Sequence, residues 1–96
     1  MIKSFASQAA EDVFHGRPTR FARTVPKPIW SIAQRKLDMI NASHNLLDLR
    51  IPPGNRLELL RGDRVNFHSI RINDKYRIVF RWHNSYAYDV DIVDYH

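Results

Sequence analysis

Partway along this chain the apolar residues change their period, and that change restricts the possible folds more than any single motif. Ile29, Ile32, Ala33, Leu37 and Ile40 recur at helical spacing, with Gln34, Arg35 and Asp38 on the other side, which predicts an amphipathic helix over residues 29–42. Pro52-Pro53-Gly54 then stops regular structure. Beyond it, residues 56–60, 67–73, 76–82 and 86–95 form runs rich in β-branched and aromatic side chains and read as strands. Links as short as Gly62-Asp63-Arg64 and Asn73-Asp74-Lys75 leave no room for the dozen or so residues of a parallel crossover, so antiparallel hairpins are expected.

The N-terminal half adds a short first strand over residues 2–6 and a helix from Ser7, a capping residue, through Phe14, with Gly16 ending it. Residues 17–28 hold three prolines and four cations without an apolar period, so a loop with outward-reaching arginines is expected. Leu46-Leu47-Asp48-Leu49 reads as one further turn. The order βααββββ implies one α+β domain over residues 1–96, a twisted, mainly antiparallel sheet with two helices packed on one face. Strand alternation assigns Ile70, Ile72, Ile78 and Phe80 to the core and Arg71, Arg77 and Arg81 to the opposite face or its edges, an arginine-rich platform suited to RNA. Phe67 and Trp82 are also read as core residues.

Ninety-six residues allow one modest core. With no cysteine, that core has neither disulfides nor thiolate metal sites to reinforce it, as suits a reducing compartment. No stretch reaches the ~18 apolar residues of a membrane span, and the chain reads as cytoplasmic, without a membrane partner. Fifteen Lys and Arg against ten Asp and Glu leave a formal charge of +5, and eleven of the cations are arginine. Arginine's planar fork matches phosphate and stacks on bases, so the composition favours a polyanionic partner.

The residues suited to chemistry gather toward the C-terminus. Cleaving RNA without a metal requires a base near the 2′-hydroxyl, an acid near the leaving oxygen and cations for the added negative charge. Because the unperturbed pKa of histidine lies near neutrality, His96 is the natural acid or base. Asp94 falls on the same side of the strand as His96, with Tyr95 opposite. Arg77 stands mid-strand in Tyr76-Arg77-Ile78-Val79-Phe80, where either a phosphate or a carboxylate such as Glu58 or Asp91 would explain it. Arg61 and Arg64 bracket a turn. The five histidines lack metal-ligand spacing and Gly54 and Gly62 form no phosphate loop, so neither a metal nor a cofactor is expected.

Pro52-Pro53-Gly54-Asn55-Arg56-Leu57-Glu58, Gly62-Asp63-Arg64, Ser69-Ile70-Arg71-Ile72-Asn73, Tyr76-Arg77-Ile78-Val79-Phe80 and Val93-Asp94-Tyr95-His96, with the opening Met1-Ile2-Lys3-Ser4-Phe5, resemble the HigB toxins of bacterial type II toxin-antitoxin modules, in the RelE/ParE superfamily. The resemblance implies a RelE-like fold and a ribosome-dependent mRNA endoribonuclease that cuts in the 30S A site and arrests translation. It implies a helix-turn-helix HigA-type antitoxin as partner, with operator DNA bound only by the toxin-antitoxin complex. It points to His96, Arg77, Tyr95, Arg61 and Asp94 as catalytic residues, and Arg56, Arg64, Arg71, Lys75 and Tyr76 are the expected RNA contacts. Arg61 stands where some members carry a lysine. The histidine that some members place just before that lysine is replaced here by Leu57-Glu58-Leu59-Leu60, which leaves Glu58 as a candidate for its role. The alternatives are a ParE-like topoisomerase inhibitor, a catalytically weak toxin, or a nucleic-acid-binding module without catalysis.

Overall fold

A computed structural model of the chain describes residues 1–94. Helix α1 spans Gln8–Phe14, and Ser7 caps it from extended backbone, its Oγ accepting from the Ala10 N–H at 3.1 Å. The same hydroxyl donates to Asp91 Oδ1 at 2.6 Å and so ties the helix to the far end of the chain. Gly16 leaves the helix at φ +71°, a left-handed turn that suits glycine.

The loop that follows is anchored. Asp12 is buried and accepts from Thr19 Oγ1 at 2.6 Å, Gln8 Nε2 at 2.8 Å and Arg17 Nη1 at 3.3 Å. The Thr19 and Gln8 hydrogen bonds, helped by Arg17, hold its carboxyl below the usual range against the opposing effect of burial. Ala22 and Val25 enter the core from this loop. Arg20, Arg23 and Lys27 are exposed as expected, whereas Arg17 turns back to Asp12 and lies 3.7 Å from Glu11.

Helix α2 spans Trp30–Ala42 after a 3-10 turn at Lys27–Ile29 that contains Pro28. Its buried stripe is Ala33, Leu37 and Ile40, with Ile32 partly covered, as its period requires. Ser43 stops it, its Oγ donating to the Met39 carbonyl at 2.7 Å.

Strands β1 (Glu58–Leu59), β2 (Phe67–Arg71), β3 (Tyr76–His83) and β4 (Tyr86–Asp94) form an antiparallel sheet in sequence order. Ile70, Ile72, Ile78 and Phe80 meet Val13, Leu37 and Ile40 in one core, so both helices cover a single face. Full burial of a side chain such as Phe80 contributes on the order of 1.5–3 kcal/mol. Trp82 packs against this core but stays partly exposed, and Phe67, also partly exposed, lies outside it.

Two strands differ from the expectation. Residues 2–6 form isolated parallel bridges, Ile2 with Ala87 and Phe5 with Val90, instead of a continuous strand. The cause is a bulge in β4: the pairing with β3 shifts between Val79 and Arg81, Asp89 takes φ +52°, and its N–H is met by Ser4 Oγ at 2.9 Å. The bulge also turns Ala87 and Val90, three positions apart, into the same core. The strand expected over residues 56–60 shortens to Glu58–Leu59, because Pro53–Asn55 make a 3-10 turn and Arg56 follows at φ +46°.

The face opposite the helices is not an open arginine platform. Ser69, Arg77 and Val79 are buried on it, Arg71 is half-buried, and only Arg81 is exposed, paired with Asp89 at 2.7 Å. The segment leading into β1 lies close to this face, bringing the Arg56 carbonyl and the Glu58 carboxylate to Arg77.

Candidate nucleic-acid cleft

The site is built around Arg77. From the middle of the sheet its Nε donates to Ser69 Oγ at 2.8 Å, while Nη2 donates to the Arg56 carbonyl at 2.6 Å and approaches the Ser69 carbonyl at 3.4 Å. Glu58 Oε1 stands 3.9 Å from Nη2. The neighbouring strand supplies Ser69 because Ser69 faces Val79 in the β2–β3 register, two positions from the Arg71–Arg77 pair and so on the same face. A guanidinium only 8% exposed and held by a hydroxyl and a carbonyl has a fixed orientation at the base of the sheet.

Arg77, Arg56, Glu58, Arg71, Asn73 and Asp74 line an open cleft of about 320 Å³. Arg71 pairs through Nη2 with Asp74, on the link to β3. Asn73 Oδ1 accepts from the Lys75 and Tyr76 backbone N–H groups at 2.9 and 2.7 Å, which fixes the tight β2–β3 turn. Asp94 faces Tyr76 across the β3–β4 pairing, and Lys75 Nζ lies 3.8 Å from its Oδ2. The Lys75 ammonium also sits 6.0 Å from the Tyr76 ring centroid. Thus Arg77, Arg56, Arg71 and Glu58 share the cleft, with Lys75, Tyr76 and Asp94 at the adjoining end of the sheet.

Arg61 and Arg64 are placed elsewhere. Arg61 precedes and Arg64 ends the exposed 3-10 turn Gly62–Arg64 between β1 and β2, at the opposite end of those strands from the Arg71–Arg77 pair, and they do not line the cleft. Tyr95 and His96 lie outside the described residues. Asp91, considered as a partner for Arg77, instead accepts from Ser7.

A larger open cleft of about 490 Å³ occupies the other end of the sheet, lined by Leu59, Asn66, His68, Arg81, Trp82 and His83. Burial lowers the pKa of His68. The larger cleft holds one arginine, Arg81, paired with Asp89, whereas the smaller holds Arg56, Arg71 and Arg77 alongside the carboxylates of Glu58 and Asp74. That excess of arginine makes the smaller cleft the candidate for an anionic ligand.

The residues that shape this cleft from behind were not singled out in the sequence. Lys36 Nζ, on α2, donates to the Arg71 carbonyl at 2.7 Å and to Asn55 Oδ1 at 2.8 Å, and Asn55 is fully buried. One signal was available: Lys36 stands three residues after Ala33 and four before Ile40, on the edge of the helix's apolar stripe, where a lysine calls for a partner.

Fold and site define a class of small basic α+β proteins in which a sheet of antiparallel hairpins carries a forked arginine beneath a cationic cleft. A solved YoeB-YefM complex from Staphylococcus aureus shares the fold, aligning with 100% of this chain and 98% of its own at TM-score 0.57 and 15% identity. Over residues 3–96 the chain matches, and belongs to, the HigB-like toxin family, described as the RelE-like toxin of type II toxin-antitoxin system HigB. Toxin HigB-1 of Vibrio cholerae is 45% identical over 60 residues, and an uncharacterized protein of Haemophilus influenzae is 44% identical over 61. Those alignments cover 62 and 64% of this chain, and 63 and 60% of the relatives' own lengths.

Proposed function

We propose that this protein is a toxin that cleaves mRNA on the ribosome, in the A site of the small subunit, by acid-base chemistry that uses no metal. The buried, forked Arg77 at the base of a cleft that also holds Arg56 and Arg71 carries this reading. The substrate's 2′-hydroxyl attacks the adjacent phosphorus, forming a P–O2′ bond and breaking the P–O5′ bond. The base takes the hydroxyl proton and the acid returns one to the departing 5′-oxygen, leaving a 2′,3′-cyclic phosphate and a 5′-hydroxyl. Arg77 stabilises the extra charge on the phosphoryl oxygens as it develops, with Arg56 and Arg71 beside it. His96 serves as acid or base, with Tyr95 and Asp94 supporting it. Glu58, on the cleft wall beside Arg77, is the candidate for the complementary role. Arg61 and Arg64, displaced along β1 and β2, are assigned to the RNA backbone beyond the scissile phosphate, and Lys75 and Tyr76 to nucleotides at the sheet's other end.

The same reading assigns a HigA-type helix-turn-helix antitoxin as the silencing partner, with operator DNA engaged by the complex. Among the described residues no helix is long and apolar enough to cross a membrane.

Incubating the protein with a defined mRNA, with and without programmed ribosomes, and mapping new 5′ ends tests the activity. A ribosome-free arm with EDTA tests the metal. Cuts that require ribosomes and fall ~10²- to 10⁴-fold in a folded His96→Gln variant are expected. Near-native cutting by His96→Gln would remove the histidine from the mechanism, and no cuts from a folded, growth-inhibiting wild type would remove the nuclease reading. Full activity in Glu58→Gln would return that carboxylate to a purely structural place.

A further inference from the structure

Lys36 has no place in the mechanism above, yet its ammonium is held more tightly than that of any other lysine among the described residues. Nζ donates to Asn55 Oδ1 at 2.8 Å and to the Arg71 carbonyl at 2.7 Å, joining α2 to the end of β2 and to the segment before β1. Each contact leads one step further to the cleft. Asn55 is fixed in turn, its Nδ2 donating to the Leu49 carbonyl at 3.1 Å, and it precedes Arg56, whose carbonyl receives Arg77 Nη2 at 2.6 Å. Arg71, whose backbone Lys36 grips, places its side chain on the cleft wall.

We propose that Lys36 is a positioning residue: bridging Asn55 and Arg71, it fixes the separation between the two walls of the cleft and thereby the orientation of the Arg77 fork. The proposal rests on the nuclease reading for its rate consequence and on geometry alone for its structural one. Partial burial lowers the Lys36 pKa, and the Arg71, Arg35 and Arg77 charges lower it further. Reactions of this kind are sensitive to placement: a shift of about 1 Å in a supporting group can cost on the order of a hundredfold in rate.

The test compares wild type with Lys36→Met, Lys36→Gln and Lys36→Arg, with Ile32→Ala on the same helix as a control for stability alone. Thermal unfolding of each gives the fold. Cleavage of a defined mRNA at varied programmed-ribosome concentration separates the rate at saturation from the half-saturating concentration. Proton exchange of the Arg77 Nε–H, followed by nitrogen-15 NMR, reads the fork directly. The expected result is a ten- to hundredfold lower saturating rate in Lys36→Met or Lys36→Gln, a half-saturating concentration within about twofold of wild type, and faster Nε–H exchange. Lys36→Arg, which keeps charge and donors, should restore most of both, and Ile32→Ala should lower the melting temperature without altering exchange. Unchanged exchange in every folded neutral variant would overturn the proposal, as would a rate loss that tracks melting temperature across all four variants. If wild type cuts no RNA, the nuclease reading fails on its own and the exchange measurement still decides whether Lys36 positions Arg77.

Discussion

Arg77 shows how a residue's chemistry depends on what covers it. A strand arginine in water is a flexible cation of little energetic weight, but here Ser69 Oγ and the Arg56 carbonyl hold it in place at 2.8 and 2.6 Å. Replacing it by methionine should leave those two acceptors short of a donor and lower stability by about 1–3 kcal/mol, read as a shift in urea midpoint at unchanged slope. Arg77→Lys keeps the charge but loses the fork, so it should recover stability better than it recovers cleavage. Asp12 makes the stability of the fold depend on pH. Hydrogen bonds from Thr19 and Gln8, with Arg17, depress its folded pKa, so the stabilisation is present above the unfolded value of about 3.9 and is lost as pH falls through the lower folded value. The stability difference between wild type and Asp12→Asn, followed by denaturation at several pH values, should therefore be constant near neutrality and shrink in that acid window. A difference that persisted unchanged at the acid end would contradict the linkage.

The elements are defined by their ends. Ser7 both caps α1 and bonds Asp91, so Ser7→Ala should cost about 0.5–2 kcal/mol, toward the upper end because a contact to β4 goes with it. Calorimetric unfolding of the two proteins would show it. The β3–β4 hairpin turns through Asn84 and Ser85, at φ +49° and +68°, between the paired residues His83 and Tyr86. Two consecutive residues with positive φ match the twist of the flanking strands. Serine is strained there, and Ser85→Gly should raise stability by about 0.5–1 kcal/mol, measured by the urea midpoint. The helices and hairpins were legible because capping residues, apolar period and short links are local signals. The interruption in β4 was not: an alternating run gives no warning of an extra residue, and the Asp89 bulge becomes visible only once β3 sets a register against which residues can be counted. That same bulge limits residues 2–6 to two bridges.

For the molecule as a whole, a net charge of +5 with three arginines in one cleft predicts RNA affinity that falls as salt rises. On single strands each lost phosphate contact should reduce the log–log salt slope by about 0.7, so the Arg56→Gln, Arg71→Gln double variant should bind a short RNA with a visibly shallower slope by fluorescence anisotropy. An unchanged slope would place the RNA outside this cleft. The two helices, the hairpin links, the inward residues of β2 and β3 and the excess of arginine were all legible beforehand, because period, capping and charge are properties of neighbouring residues. Which cations come together is a long-range matter: the fold brings Arg56 to Arg77 across 21 residues and Lys36 to Arg71 across 35, and leaves Arg61 and Arg64 on a turn at the far end of their strands. Alternation says which face a side chain occupies but not what lies over that face. Here that is set by the path of the chain from α2 into β1, held by the buried Asn55, and it turned a surface arginine into the floor of a cleft.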